Sequence, residues 1–245
     1  MFQPLNLSID DFSKYDSNKN NSFSSIRISI DDKLSFTSFI KSYCISACII
    51  SSTSIIPDWI KSELELCNIN NIYTFDSSTP IPITNSYKTP LTLGTDRLAS
   101  VIGGYFEAGR SHPVLCIDFG TAITYDFISS DGNYIGGNIS PGLSMRFKSL
   151  HLYTKKLPLV DKEGDCPIIG YSTDTAIRSG VINGIKQEIN GYIEMYQQKY
   201  SNIYIFFTGG NYLDFDYPSK KRIFAEQNLV LKGLNITLNH ILLKK

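Results

Sequence analysis

The chain reads as an α/β protein with two halves of like pattern, and three features of the sequence predict it. Val114 to Ile117 is an unbroken apolar run, which suits a strand buried on both faces. Ile123, Tyr125 and Phe127 then alternate with Thr124 and Asp126, the period-two signature of a second strand. Leu98, Ile102, Tyr105 and Phe106 recur at helical spacing, and successions of strands closed by a helix appear in both halves of the chain.

Taken in order, Leu5 to Ile9 alternates and predicts a first strand, and Asp10 to Ser25, rich in Asp, Ser, Asn and Lys, predicts a loop. Ser25 to Ile30 alternates again, Asp31 to Lys33 reads as a turn, and Thr37 to Ser42 as one turn of helix. Ile45 to Ile50 is a compact apolar strand ending in a run of Ser and Thr. Pro57 to Leu66 predicts a short helix with Pro near its start, and Ile72 to Phe75 a short strand. The proline-rich segment from Pro80 to Pro90 predicts an extended loop. A helix follows over Asp96 to Ala108, then the two strands around Gly120.

Ser130 to Asn133 is a turn signal, and Tyr134 to Ile139 a strand carrying Gly136 and Gly137. Glycines inside a strand mark a bulge or a close backbone approach. A helix is predicted from Leu143 to Leu152, and Ser172 to Thr175 resembles an N-cap run. It opens a helix from Asp174 to Tyr200 with a break near Gly191; Ile177, Val181, Ile185, Ile189, Ile193 and Tyr196 form its apolar face. Ile203 to Phe207 is a last buried strand, and Asn228 to Leu243 a last helix interrupted at Gly233.

Composition narrows the function classes. With 245 residues the chain is long enough for one large or two modest cores. Its formal net charge of +0 argues against a nucleic-acid binder working through a basic face. The five Cys include no C-x-x-C, so a disulfide framework or zinc site is not expected, and a reducing cytoplasm fits best. No apolar run is long enough to span a bilayer, and no signal peptide is expected.

The tip between the two central strands carries Asp118, Gly120 and Thr121. Backbone N–H groups beside a Thr hydroxyl make a seat for phosphate oxygens, and Gly120 lets a ligand come close. An ionised Asp118 beside phosphates implies a bound cation. An ordinary hairpin, with Asp and Gly as turn formers, fits the residue types equally. Upstream, Leu93-Gly-Thr-Asp-Arg97 opens a helix; Asp96 suits its first turn, and Arg97 is a ready anion clamp.

Together these runs resemble the type III pantothenate kinases of the acetate/sugar kinase–Hsp70–actin superfamily. The resemblance is carried by Tyr87-Lys-Thr-Pro-Leu-Thr-Leu-Gly-Thr-Asp-Arg97, Asp118-Phe-Gly-Thr-Ala-Ile-Thr-Tyr-Asp126 and Tyr134-Ile-Gly-Gly-Asn-Ile-Ser-Pro-Gly142. It continues through Gly170-Tyr-Ser-Thr-Asp-Thr-Ala-Ile-Arg-Ser-Gly180, Thr208-Gly-Gly210 and Asn228-Leu-Val-Leu-Lys-Gly-Leu-Asn235. It implies a two-lobed actin-like ATPase (ribonuclease H-like) fold, with duplicated mixed-sheet domains around a central cleft, here divided as 1–110 and 111–245.

The resemblance also implies ATP-dependent phosphorylation of pantothenate to 4'-phosphopantothenate, the first step of coenzyme A biosynthesis, by a cytoplasmic homodimer that engages neither nucleic acid nor membrane. In that reading Asp96 is the catalytic base. Tyr87, Gly94, Thr95, Asp96, Arg97 and Thr173 contact pantothenate, the last across the dimer; Gly120, Thr121 and Asp10 hold ATP. Asp118 is the metal ligand, for a monovalent cation (K+ or NH4+) besides the Mg2+ carried with ATP. Asp126, read as a solvated strand-end carboxylate, is secondary.

One departure stands out. The family opens with a strand ending in Asp-x-Gly-Asn-Thr, whose hairpin holds ATP phosphates. Here Leu7-Ser-Ile-Asp10 resembles the strand and its Asp, but Asp11, Phe12, Ser13 and Lys14 follow, and Asp31 competes for the same match. The missing Gly-Asn-Thr keeps open an alternative: a catalytically impaired homologue acting as a non-enzymatic dimeric binding or regulatory protein.

Overall fold

The computed structural model describes residues 5–10, 23–29, 31–52, 55–210 and 222–244. The chain groups into two compact units, Met1–Gly103 with Asn228–Lys245, and Gly104–Gln227. The division expected from sequence has a single cut near residue 110, whereas the chain passes between these units twice.

In the first unit, β1 (Leu5–Asp10) and β2 (Phe23–Ile28) pair antiparallel, with Asp10 opposite Phe23. The helix α1 (Lys33–Lys41) is longer than the single turn predicted from Thr37. Asp32, read as a turn residue, is its N-cap, and its carboxylate accepts from the Ser35 N–H at 3.0 Å. Next, β3 (Ala47–Ile50) and β4 (Asn71–Thr74) pair in parallel, joined by the crossover helix α2 (Asp58–Leu66). Ile28, Phe36, Ile40, Ile60, Leu64 and Ile69 form the core here. The proline-rich segment holds only the two-residue strand β5 (Thr84–Asn85) and a 3-10 turn at Pro90–Thr92, then α3 (Thr95–Glu107) begins.

The second unit is organised on a mixed sheet. The hairpin of β6 (Val114–Phe119) and β7 (Ala122–Ile128) continues antiparallel into β8 (Asn133–Pro141). After α4 (Leu143–Leu152) and α5 (Thr173–Lys199), β9 (Tyr204–Gly209) joins β6 in parallel, and β10 (Ile223–Ala225) joins β9 in parallel. Within this unit the order is β10-β9-β6-β7-β8. The isoleucines and valine of the α5 stripe are buried against Leu115, Ile117, Tyr125, Phe127, Ile205 and Phe207. Each such side chain removed from water contributes about 1.5–3 kcal/mol, so the stripe is what fastens the helix to the sheet.

A capping box starts α5: the Ser172 hydroxyl accepts from the Thr175 N–H, and the Thr175 hydroxyl accepts from the Ser172 N–H. The expected break at Gly191 does not occur; a Cβ there meets nothing within 4 Å, so the glycine faces open space and the helix runs on.

The last helix, α6 (Leu229–Leu243), belongs to the first unit. Gly233, read as an interruption, lies inside it. Its added Cβ would fall 1.8 Å from the Ala99 carbonyl oxygen, and one on Gly103 would fall 2.3 Å from that of Leu229. These glycines let α3 and α6 cross with their backbones in contact.

Candidate active site

In the second unit the predicted phosphate turn is a short loop at the end of the β6–β7 hairpin. Asp118 pairs with Thr124 and Phe119 with Ile123, and the Gly120 N–H donates to the Ala122 carbonyl at 3.1 Å. Gly120 has no positive φ, and an added Cβ would meet nothing nearer than 3.4 Å. The chain's own geometry therefore does not demand glycine at this exposed position.

Gly142, the residue before α4, lies against the same loop. Its N–H donates to the Thr121 carbonyl at 3.0 Å, and a Cβ on it would lie 2.4 Å from that oxygen and 2.5 Å from the Gly120 oxygen. The N-terminus of α4, a favourable place for negative charge, thus sits against the Gly120–Thr121 turn.

The parallel pairing of β6 with β9 sets Asp118 opposite Thr208 and Phe119 opposite Gly209 at the carboxyl ends of both strands, where open α/β sheets bind ligands. Gly209 has φ +89°, and its Cβ position is 2.5 Å from Asp118 Oδ1. Glycine is required there both by that φ and because the half-buried Asp118 carboxylate and the Phe119 backbone occupy the space of a Cβ. Thr208 is buried and donates its hydroxyl to the Gln227 carbonyl at 3.4 Å. That part of the Thr-Gly-Gly run serves the fold.

One sequence expectation needs correction here. Asp126 is not a solvated strand-end residue: it is 1% exposed, lies inside β7, and accepts a hydrogen bond from the Tyr134 hydroxyl at 2.7 Å. The close backbone approach expected of the strand glycines is present at Gly137, where the neighbouring strand makes it: an added Cβ would lie 1.8 Å from the Tyr125 carbonyl oxygen. Gly136, at φ +137°, stands at the bulge where the β7–β8 register shifts.

In the first unit, Gly94 to Arg97 form the start of α3. The exposed Asp96 carboxylate accepts from the Arg97 N–H at 2.8 Å, and its Oδ1 lies 2.6 Å from the Cβ position of Gly94. A side chain at residue 94 would displace that carboxylate. Arg97 is buried, and its guanidinium carbon stands 5.8 Å from the centre of the Tyr87 ring. Tyr87, Gly94, Thr95, Asp96 and Arg97 are therefore brought together. Ser51, at the end of β3, donates to the Thr95 hydroxyl at 2.9 Å. Sequence reasoning passed over Ser51; the run of Ser and Thr closing an apolar strand was the available signal.

Asp10 ends β1, and residues 11–22, where the family's Gly-Asn-Thr would be sought, lie outside the described residues. Asp31 is exposed just before α1, with its N–H near the Ser29 hydroxyl at 3.4 Å. Thr173 is exposed in the first turn of α5.

In the same unit, Glu188 of α5 accepts hydrogen bonds from the Tyr125 hydroxyl at 2.8 Å and the Ser140 hydroxyl at 2.5 Å. It also pairs with the Arg146 guanidinium at 2.6 Å. Burial pushes the Glu188 carboxyl up, but these hydrogen bonds and the Arg146 charge outweigh it and hold it below the usual carboxylate range. Burial, with Glu188 alongside, raises the Tyr125 hydroxyl well above its ordinary value.

Among the described residues no cluster of three or more His, Cys, Asp or Glu is arranged to hold a metal ion.

Comparison with known proteins gives one consistent result. Residues 10–195 match a family profile described as type III pantothenate kinase. A protein of that name from Phocaeicola vulgatus is 49% identical over 193 residues, spanning 78% of this chain and 78% of its own. Another, from Azobacteroides pseudotrichonymphae, is 44% identical over 200 residues, spanning 82% and 80%. A crystal structure of a conserved Baf family protein from Campylobacter jejuni superposes with a TM-score of 0.52 at 20% identity, over 91% of this chain and 95% of that one, a likeness of fold.

Proposed function

This chain belongs to the type III pantothenate kinase family, and from that premise we propose how its residues divide the work of phosphorylating pantothenate with ATP. The overall reaction is the transfer of the γ-phosphoryl group to the pantothenate hydroxyl, giving 4'-phosphopantothenate, the opening step of coenzyme A synthesis. The observation that carries the assignment is the match to kinases across residues 10–195, joined to the clustering of Tyr87, Gly94, Thr95, Asp96 and Arg97.

The nucleotide phosphates lie on the Gly120–Thr121 turn. In support, Gly120 is exposed with no internal need for glycine, and the α4 N-terminus abuts the turn. Asp10, where β1 ends, completes the phosphate side. Asp118 holds a cation there, a monovalent ion such as K+ or NH4+ in addition to the Mg2+ that travels with ATP. That ion offsets negative charge on the phosphates. Pantothenate lies on the α3 side. Tyr87 and the Arg97 guanidinium it faces hold the acid's carboxylate, Gly94 and Thr95 shape the turn, and Thr173 adds a contact from a second subunit.

Asp96 receives the proton. The pantothenate hydroxyl oxygen bonds to the γ-phosphorus, the bond to the β–γ bridging oxygen breaks, and ADP leaves with that electron pair. The hydroxyl proton passes to the Asp96 carboxylate, whose exposed position suits a base that must meet its substrate. This requires the two-lobed, actin-like arrangement with a central cleft.

Assembly and location complete the proposal. The open faces of Gly180, Gly184 and Gly191 on α5 leave room for a second helix, which supports a two-fold homodimer. Among the described residues no helix is long and apolar enough to cross a membrane, and the cytoplasm, where the substrates lie, is the proposed compartment. The alternative of a non-enzymatic homologue is not favoured, because proteins 44–49% identical over most of this chain carry the kinase name. Light scattering tests the dimer, and phosphorylation of pantothenate by Asp96→Asn against wild type tests the base.

A further inference from the structure

A polar cluster in the second unit lies outside every role assigned so far. Glu188 accepts from Tyr125 on β7, Ser140 on β8 and Arg146 on α4, so one carboxylate ties α5 to three elements. Arg146 is held at both ends of its guanidinium: Nη2 meets Glu188, and Nε donates to the Pro141 carbonyl at 2.8 Å. Pro141 immediately precedes Gly142 and is paired with Ala122 across the sheet. Gly142 donates to the Thr121 carbonyl and accepts, through its own carbonyl, the Arg146 N–H at 3.0 Å. A continuous path thus runs from Glu188 through Arg146 to Pro141 by hydrogen bonds, across the Pro141–Gly142 peptide bond, and on to Thr121 by a hydrogen bond.

Stability alone is a poor reason for this design. Tyr125 is fully buried and its ring lies 4.3 Å from that of Tyr192, so the surroundings are suited to apolar packing. A partly buried ion pair there gains little over hydrophobic side chains of the same volume. What an ion pair supplies and an apolar contact does not is a fixed direction for the guanidinium fork.

We propose that Glu188 is a positioning residue for nucleotide binding: it aims Arg146 at the Pro141 carbonyl and so fixes Gly142 and the start of α4 against the Gly120–Thr121 turn. The inference rests on the reading that this turn holds the ATP phosphates. Glu188 itself touches no substrate.

The test compares full-length wild type with Glu188→Gln, Arg146→Lys and Thr121→Ala. ATP affinity with Mg2+ is measured by titration calorimetry, the KM for pantothenate by steady-state kinetics, and thermal stability in parallel. Glu188→Gln keeps the side-chain shape but removes the charge that aims Arg146. Lysine at 146 has a single ammonium and no fork to serve Glu188 and Pro141 together. Both variants are expected to weaken ATP binding by roughly tenfold, the scale of one positioning hydrogen bond, and to leave the pantothenate KM within about twofold. Should Glu188→Gln not fold, Arg146→Lys carries the same reading. ATP affinity at the wild-type level in both variants, while Thr121→Ala weakens it, overturns the positioning role and leaves the phosphate turn standing. A Thr121→Ala variant that binds ATP like wild type overturns the phosphate turn and the inference with it.

Discussion

Gly142→Ala isolates the contact between the α4 N-terminus and the Gly120–Thr121 turn, the proposed seat of the ATP phosphates. Gly142 has φ −72° and ψ 174°, which alanine adopts without strain, so the backbone preference of glycine plays no part. The effect is one of space. The new methyl would sit 2.4 Å from the Thr121 oxygen and 2.5 Å from the Gly120 oxygen, both backbone atoms, where ordinary contact begins at 3.4 Å. No side chain can swing away, so the turn or the start of α4 must yield by about 1 Å. Overpacking of this kind costs about 1–3 kcal/mol of stability, and a displacement of about 1 Å in a positioning element can cost a hundredfold in rate. The assay is steady-state phosphorylation with ATP varied at saturating pantothenate, alongside a melting curve. We expect kcat/KM for ATP to fall by about one to two orders of magnitude in a protein that still folds. A variant with wild-type kcat/KM and an unchanged melting temperature would show that the turn and α4 are not coupled as described.

Other substitutions have separate signatures. Asp96→Asn keeps the shape and loses the proton acceptor; turnover should drop by roughly a hundredfold or more with ATP binding intact, as single-turnover rates and calorimetry would show. Asp118→Asn should instead weaken ATP binding and blunt any dependence on K+, read from titrations with and without the ion. Gly233→Ala places a methyl 1.8 Å from the Ala99 carbonyl and should cost about 3 kcal/mol or more, measured by urea unfolding. Because Glu188 titrates below its ordinary 4.5 in the fold, the stability it contributes is present above that value and is lost as pH falls through the lowered one. The melting-temperature gap between wild type and Glu188→Gln should therefore be widest near neutrality and close in acid. Burial raises the Cys48 thiol to about 11, so at pH 8 iodoacetamide should modify exposed Cys44 well before Cys48, as peptide mapping would reveal.

What was legible in the sequence follows from the range of each interaction. Periodicity found the α5 stripe and the β6–β7 hairpin because burial imposes a local pattern, and Ser172 announced its cap from within the same turn. Glycine was legible as unusual but not as to why. Gly233 looked like a helix break and Gly137 like a bulge or a close approach of unnamed partner, and each serves close packing against another element's backbone. Asp126 read as solvated because nothing local shows that Tyr134 lies above it in a buried layer. The contacts of Glu188 with Tyr125, Ser140 and Arg146 bridge long stretches of chain, so no spacing rule points to them. The clustering of Tyr87 with Arg97, by contrast, lies within one short segment whose motif had already singled them out.

The most direct test of the central claim is conversion of pantothenate by the purified full-length chain, supplied with ATP, Mg2+ and K+ and followed by mass spectrometry of the product. Phosphorylated pantothenate should form with matching release of ADP, no product should form without ATP, and Asp96→Asn should form it at least about a hundredfold more slowly. A folded wild-type protein that binds no ATP and yields no phosphorylated pantothenate under these conditions would contradict that claim.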